Sequence, residues 1–198
     1  MGLLGNIERG LLFVVSAPAG TGKTTLVDKL IGNYPHSLAR SVSCTTRAPR
    51  GHEKNFQDYI FLTEEEFTEK KEAGAFLESA KVFNHNYGTL KSTVYALQNQ
   101  GKHVFLVIDT QGAMQLKGNA DTIFVFIKPP TIEVLQKRLA SRHTESEEAI
   151  RLRLSYAEQE MEQAKNYDVI IVNDDLEKAY QEFKALIEQK EQVFCRYL

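Results

Sequence analysis

The chain has 198 residues, enough for one α/β domain with a well-buried core, and its 42% hydrophobic and 25% charged residues are ordinary for a globular protein. The formal net charge of -2 makes nucleic acid a poor candidate partner, because no general polyanion-binding surface is implied. We expect a cytoplasmic protein without a membrane partner, since no signal peptide or membrane-spanning run is recognisable. Cys44 and Cys195 are far apart in sequence, which argues against a disulfide framework and fits a reducing cytosol.

Strand-like runs recur along the chain and alternate with segments of helical spacing. The predicted strands are Leu11–Val15, Tyr59–Leu62, His103–Ile108, Thr122–Ile127 and Asp168–Val172. Continuous apolar residues in the first, third and last of these runs predict strands that are buried on both faces of a sheet. Strands that alternate with helices in this way are typical of an open, mostly parallel α/β sheet.

Helices are predicted where a capping residue precedes apolar residues at helical spacing. The predicted helices begin after Thr63, run from Thr144 to about Lys165, follow Thr131 over Ile132–Leu139, and span Leu176–Val193. Residues from about 37 to 89 break the alternation with short strand-like pieces, which predicts a lobe inserted into the main domain.

A glycine-bearing loop joins the first predicted strand to a segment of helical spacing. It reads Ala17-Pro18-Ala19-Gly20-Thr21-Gly22-Lys23-Thr24 and is followed by Thr25. A strand, such a loop and a helix start in this order are the context of a phosphate-binding P-loop, in which Lys23 would reach the β- and γ-phosphates and Thr24 would ligate Mg²⁺. Ala17 stands where the usual pattern has glycine, which is tolerable if the backbone there does not need positive φ. The alternative is a purely structural turn between a core strand and a core helix.

Two arginines three residues apart, Arg47 and Arg50, flank Pro49, which restrains the backbone between them. Guanidinium groups held in this way can grip a phosphate bidentately. Tyr59 and Tyr87 could each donate a phenolic hydroxyl. Each of these residues taken singly is more often structural, as part of a solvated basic loop or as a half-buried core tyrosine. Together with the P-loop they favour a second phosphate site.

The chain resembles the guanylate kinase family from Leu11 to about Ala185. The motifs that carry the resemblance are Ala17–Thr24, Ser41–Arg50, Asp58-Tyr59-Ile60-Phe61, Phe76-Leu77-Glu78, Tyr87-Gly88-Thr89, Ile108-Asp109-Thr110-Gln111-Gly112, residues 138–145 and Ile171-Val172-Asn173-Asp174-Asp175. The resemblance implies an α/β P-loop three-layer fold with a mostly parallel five-stranded core sheet. It also implies a single domain with the core at about 1–36 and 90–198, an inserted mixed-strand GMP-binding lobe at about 37–89, and a helical lid at about 138–155.

The activity that the resemblance implies is transfer of the γ-phosphoryl group of ATP to GMP, and to dGMP, with Mg²⁺, in purine metabolism and GMP recycling. The family's GMP-binding positions correspond to Ser43, Arg47, Arg50, Tyr59, Glu78, Tyr87, Thr89 and Asp109. Its catalytic positions correspond to Lys23, Arg47, Arg138, Arg142 and Arg153. Its ATP-binding positions correspond to the loop from Ala17 to Thr25 with Arg142 and Asn173, and its metal-binding positions to Thr24 and, through water, Asp109. A monomer or a homodimer is expected.

The chemistry of these residues agrees with the implied roles but leaves alternatives. Guanine presents its N1–H and 2-amino groups as adjacent donors, and the Glu78 carboxylate could accept both, whereas adenine offers an acceptor at N1. Without its context Glu78 would be an exposed carboxylate at a strand end. Asp109 could equally cap a helix that begins near Gln111, and Arg138 could belong to a surface helix face.

Besides Ala17, four positions depart from the family pattern. His52, Phe56 and His143 stand where relatives usually carry glycine, and Val107 stands where they often carry an acid. Val107 would remove one outer-shell contact to Mg²⁺, and His52 and Phe56 bear on the loop shape of the lobe. Two other functions stay open: a non-enzymatic scaffold that binds phosphopeptides, and a phosphotransferase for a sugar phosphate or another nucleoside monophosphate.

Overall fold

The computed structural model describes residues 8–82, 84–119, 122–141 and 147–194. Strands and helices alternate along these residues, and a 3₁₀ turn over Gln163–Asn166 follows the sixth helix. The strands are β1 (Leu12–Ser16), β2 (Leu38–Arg40), β3 (Cys44–Thr45), β4 (Ile60–Phe61), β5 (Phe76–Val82), β6 (His85–Leu90), β7 (His103–Val107), β8 (Thr122–Lys128) and β9 (Val169–Val172). The helices are α1 (Lys23–Asn33), α2 (Glu64–Glu72), α3 (Lys91–Gln98), α4 (Thr110–Gln115), α5 (Ile132–Ala140), α6 (Glu147–Glu162) and α7 (Leu176–Phe194).

The main sheet has five strands in the order β2-β7-β1-β8-β9, and all of its neighbouring strands are parallel. The central strand β1 is buried along its whole length. Parallel strands end at the same edge of a sheet, so the segments that follow β1, β7 and β9 meet there. This edge therefore collects the P-loop, Asp109 and Asn173.

Helices cover both faces of the main sheet. Because successive side chains of a strand point to opposite faces, neighbouring residues of β1 pack against different helices. Phe13 and Val15 pack with residues of α1 and α7 on one face. Leu12 and Val14 pack on the other face with residues of α3, α4 and the 3₁₀ turn. The predicted three-layer α/β architecture is confirmed.

The last strand, β9, does not have the burial that its apolar sequence predicts. Ile170 is 44% exposed and Val172 is 46% exposed, so the prediction of burial on both faces is wrong for this strand. β9 lies at one end of the strand order. Ile171 packs in the layer of α1 and α7, whereas the cluster described on the opposite face contains no residue of β9.

A second, mixed sheet lies in the range expected for the inserted lobe, with the strand order β4-β3-β6-β5 and one parallel pair, β3 with β4. The predicted strand Tyr59–Leu62 is reduced to the two residues of β4 in this sheet. The fifth strand of the main sheet is instead β2, a three-residue strand that the sequence did not indicate. Since β2 pairs with β7, part of the expected lobe range belongs to the main sheet.

Several helix boundaries agree with the capping residues. Thr63 and Glu66 form both hydrogen bonds of a capping box at α2, and the Thr131 hydroxyl accepts from the Val134 N–H at α5. The predicted start at Thr144 lies outside the described residues. Among the residues that the structure describes, we find no helix that could span a membrane.

Candidate active site

The P-loop leaves β1 at Ser16 and enters α1 at Lys23. Gly20 and Gly22 have φ of 89° and 90°, in the left-handed region that favours glycine. Among the described residues other than glycine, positive φ occurs at Phe56 and Asn84, so Ala17 does not have it. The condition under which Ala17 is tolerated is therefore met.

The Lys23 side chain folds back over the loop. Its Nζ atom lies 3.4 Å from the Ala17 carbonyl oxygen and 3.5 Å from the Ile108 carbonyl oxygen, at the long end of hydrogen-bond distances. Burial lowers the pKa of Lys23, while Glu160 and Asp109 act in the opposite direction. Such weak contacts leave the ammonium group available to an anion in the adjacent cavity.

Asn173 bonds the P-loop directly, and Arg138 bonds the backbone that carries Asn173. The Asn173 Nδ2 atom donates to the Thr21 carbonyl at 2.7 Å, and Arg138 donates to the carbonyls of Asn173 at 2.9 Å and Asp174 at 3.3 Å. The geometry thus gives both side chains a bracing contact. The roles expected for them beside adenine and the γ-phosphoryl group stay predictions, and Arg142 lies outside the described residues.

A cavity of about 630 Å³ opens beside the P-loop and extends to the inserted lobe. It brings together eight of the residues predicted from the sequence, together with the P-loop alanines. The predicted residues that line it are Ala17, Ala19, Lys23, Ser43, Arg50, Tyr59, Glu78, Tyr87, Asp109 and Arg153. Thr24 and Thr25 are exposed on the first turn of α1, and Arg47 and Thr89 are buried beside the cavity.

The predicted phosphate clamp is assembled at the lobe end of this cavity. The Arg47 guanidinium lies 5.3 Å from the centre of the Tyr59 ring, and Tyr59 meets Tyr87 edge-on at 6.0 Å between ring centres. The Arg47 N–H donates to the Thr45 hydroxyl at 3.2 Å, which fixes the backbone where the arginine leaves β3. Burial raises the pKa of Tyr59, so its phenol keeps a proton to donate.

Glu53 belongs to this clamp although its role was not predicted from the sequence. Its Oε1 accepts from Arg47 Nη2 at 2.9 Å, and its Oε2 accepts from the Arg50 N–H at 2.7 Å. The hydrogen bond from Arg47 lowers the pKa of Glu53, with burial acting against it. The carboxylate thereby ties one arginine side chain to the backbone of the other. An acid three residues after Arg50, the spacing of a tight turn, was the available signal.

Glu78, on β5, also lines the cavity and is only 4% exposed. This burial excludes the alternative of an exposed carboxylate at a strand end. Its Oε1 accepts from the Thr89 hydroxyl at 2.6 Å across the β5–β6 pair. Burial raises the pKa of Glu78 to about 7, with a further contribution from Asp109. A buried carboxylate with one partner has acceptor capacity left for a ligand.

Asp109 caps α4 and also lines the cavity. Its Oδ1 accepts from the N–H groups of Gln111 at 2.8 Å and Gly112 at 3.1 Å. The helix-capping alternative is therefore confirmed, and it does not compete with a contact to substrate because the residue still faces the cavity.

Glu160 is a second acid that sequence reasoning missed. It lines the cavity from α6, together with Arg153. Burial raises its pKa to about 7, and the charge of Lys23 acts in the opposite direction. Val107 also lines the cavity, so the apolar side chain occupies the place of the acid that relatives often carry there. The sequence signal for Glu160 was weak, because acids are common on helix faces.

Comparisons with known proteins agree with this geometry. A family profile described as "Guanylate kinase" matches residues 9–190. The chain belongs to the guanylate kinase family. Guanylate kinase of Protochlamydia amoebophila is 50% identical over 183 residues, covering 92% of each chain. Guanylate kinase of Malacoplasma penetrans is 40% identical over 186 residues, covering 92% of this chain and 95% of the relative.

Solved structures also match at the level of the fold. The crystal structure of guanylate kinase from Anaplasma phagocytophilum superposes with a TM-score of 0.75 at 31% identity, covering 92% of this chain and 87% of that chain. The SH3-kinase fragment of tight junction protein 3 matches with a TM-score of 0.53 at 14% identity, which shows a shared fold alone. As a guanylate kinase family member, the chain is a kinase with a nucleotide-binding P-loop.

Proposed function

We propose that this enzyme transfers the γ-phosphoryl group of ATP to GMP, and to dGMP, giving ADP and the nucleoside diphosphate. The observation that carries the proposal is that one cavity is lined both by the P-loop lysine, Lys23, and by the buried Glu78 carboxylate. A phosphate-binding end and a base-recognising end in the same space fit an acceptor that carries both a phosphate and a guanine.

The acceptor is held at two ends. Arg50, Tyr59 and Tyr87 line the cavity with hydroxyl and guanidinium donors for the GMP phosphate, and Arg47 contacts the Tyr59 ring behind them. Glu78 accepts the N1–H and 2-amino protons of guanine. Adenine has no such pair of donors, so binding adenine would leave a buried acceptor unpaired.

The donor is held by the P-loop. Gly20 and Gly22 turn backbone N–H groups toward phosphate oxygens, and the α1 dipole favours negative charge at the same point. Lys23 leaves its weak carbonyl contacts and binds the β- and γ-phosphates. The acceptor phosphate is already an anion, so it attacks the γ-phosphorus in line without a general base, and catalysis consists of positioning and charge neutralisation.

The residues available for Mg²⁺ fit that ion. Among the described residues no cluster of three or more His, Cys, Asp or Glu could hold a metal. Mg²⁺ usually keeps several waters and binds through one or two protein oxygens and substrate phosphates. The Thr24 hydroxyl, exposed on α1, and the Asp109 carboxylate, facing the cavity, are oxygen donors of this kind. When bound, Mg²⁺ would neutralise phosphate charge.

Closure of the lobe and lid, the location and the oligomeric state are further expectations that agree with this function and are not needed for it. The lobe and the lid at about 138–155 would close over the substrates and exclude water, with Arg153 facing the transferred group. A cytoplasmic location, a role in GMP recycling, and a monomeric or homodimeric state stay predictions.

A coupled assay of ADP release with GMP, dGMP, AMP, CMP and UMP tests the proposal. We expect turnover with GMP and dGMP and little with the other acceptors. Lys23→Met should abolish turnover while the circular dichroism spectrum stays that of the wild type. A preference for AMP would overturn the guanine assignment. Absence of turnover with every acceptor would favour a binding scaffold, and near-normal GDP production by Lys23→Met would overturn the mechanism.

A further inference from the structure

Helix α4 joins the main domain to the inserted lobe beside Glu78. It follows Asp109 at the end of β7, and it contacts β5, the strand that carries Glu78. β5 lies at the end of the described strand order of the lobe sheet, so the backbone along its outer edge needs partners from elsewhere. The β5–β6 register also shifts between Phe76 and Glu78, which loosens the ladder where the carboxylate must be held.

Gln115, at the last turn of α4, supplies those partners. Its Oε1 accepts from the Ser79 N–H at 3.2 Å, and its Nε2 donates to the Ser79 carbonyl at 2.8 Å. One carboxamide thus satisfies both backbone groups of the residue next to Glu78, as a neighbouring strand would. Both bonds use the Ser79 backbone and not its side chain.

Gly112, in the first turn of α4, leaves the space that the carboxylate occupies. A Cβ atom built there would overlap Glu78 Oε2 and would lie 3.1 Å from Glu78 Cδ. Gly112 is not among the described glycines with positive φ, so the backbone does not require glycine. A glycine inside a helix is unfavourable relative to alanine. The space that the Glu78 carboxylate needs therefore accounts for glycine at position 112.

We propose that Gln115 and Gly112 are positioning residues that fix the Glu78 carboxylate for two-point recognition of guanine. The inference rests on the proposed role of Glu78. Accepting the N1–H and the 2-amino group together requires a set orientation of the carboxylate. Accepting the N1–H alone tolerates a wider range of orientations. Helix α4 therefore governs how strongly the enzyme prefers an acceptor base that carries a 2-amino group.

IMP is the probe for this role, because hypoxanthine keeps the N1–H of guanine and lacks the 2-amino group. The measured quantity is the ratio of kcat/KM for GMP to kcat/KM for IMP. Gln115→Leu removes both bonds to Ser79, and Gly112→Ala displaces the carboxylate directly. We expect each variant to lower the ratio about tenfold, the effect of losing one well-placed hydrogen bond to substrate. KM for ATP should stay within about twofold, because the contacts that these variants change lie at β5 and Glu78 and not at the P-loop.

Two reference variants separate the possible outcomes. Ser79→Ala keeps both backbone groups that Gln115 binds, so it should retain the wild-type ratio. Glu78→Gln should lose most of the preference for GMP. If Gln115→Leu and Gly112→Ala keep the wild-type ratio while Glu78→Gln loses it, the inference is overturned and the Glu78 role stands. If the wild type uses IMP as well as GMP, the Glu78 role fails and the inference fails with it. Should Gln115→Leu fold poorly, Gly112→Ala decides the question, because alanine favours the helix.

Discussion

The burial of Glu78 should make the empty enzyme less stable above neutral pH than a variant with a neutral side chain there. Glu78→Gln is the perturbation, because glutamine is nearly isosteric with the protonated acid and can still accept from the Thr89 hydroxyl. Burial raises the pKa of Glu78 from 4.5 to about 7. A raised carboxyl pKa means that the folded state binds more protons than the unfolded state between these values, so stability falls as pH rises through the window.

The magnitude follows from the size of this shift. One pKa unit corresponds to about 1.4 kcal/mol, so the full cost above both pKa values is about 3 kcal/mol. At about pH 5 the carboxyl is mostly ionised in the unfolded state but mostly protonated in the folded state. The stability lost relative to a neutral side chain is then only about 1 kcal/mol. We therefore expect Glu78→Gln to raise the free energy of unfolding by about 1 kcal/mol at about pH 5 and by about 3 kcal/mol at about pH 8.

Urea unfolding of both proteins without nucleotide, followed by circular dichroism at several pH values, measures this difference. Glu160 also has a pKa raised to about 7, but it is present in both proteins and cancels in the comparison to first order. A gain that is the same at all pH values would refute the reasoning, because a purely steric effect does not titrate. A loss of stability near pH 8 would show that the carboxylate has favourable partners and is not simply desolvated.

Three further outcomes are expected. KM for GMP should rise several-fold as pH falls from about 8 to about 6, because Glu78 becomes protonated and loses acceptor capacity, and steady-state kinetics with Glu78→Gln should lack this contribution. Glu53→Gln should raise KM for GMP about tenfold with little change in KM for ATP, since the charge that orients Arg47 is lost; an unchanged KM would assign Glu53 to the fold alone. Phe56→Gly should raise the free energy of unfolding, measured in urea, by about 1 kcal/mol, because Phe56 has a φ of 64° and is 72% exposed, and Phe56→Ala should give no such gain.

The main features of the fold followed from local patterns in the sequence. β1 and β7 are apolar runs inside a parallel sheet, so burial on both faces gave nearly every residue an apolar side chain. β2 was not predicted because a strand of three residues is too short to show any periodicity. The exposure of β9 could not be predicted, since an apolar edge strand has the same local sequence as a central one.

The site shows the same division between local and long-range information. Lys23 and the two glycines of the P-loop lie within a few residues of one another, so their spacing alone indicated a phosphate site. The supporting contacts join residues distant in sequence: Asn173 with Thr21, and Gln115 with Ser79. Such pairs depend on which segments the topology brings to one sheet edge.

Glu53 and Glu160 show why half-buried acids are hard to assign from sequence. Each lies among ordinary surface-like residues, and each acquires its character in the folded protein: Glu53 from a direct hydrogen bond with Arg47, and Glu160 from burial, which the charge of Lys23 partly offsets. A hydrogen bond lowers the pKa of Glu53, whereas burial raises that of Glu160, although both face positive charge. The difference is contact: Arg47 reaches Glu53 at 2.9 Å, while Lys23 makes its hydrogen bonds to backbone carbonyls. The empty site thus holds Arg47 in place and leaves Lys23 ready to move to a phosphate.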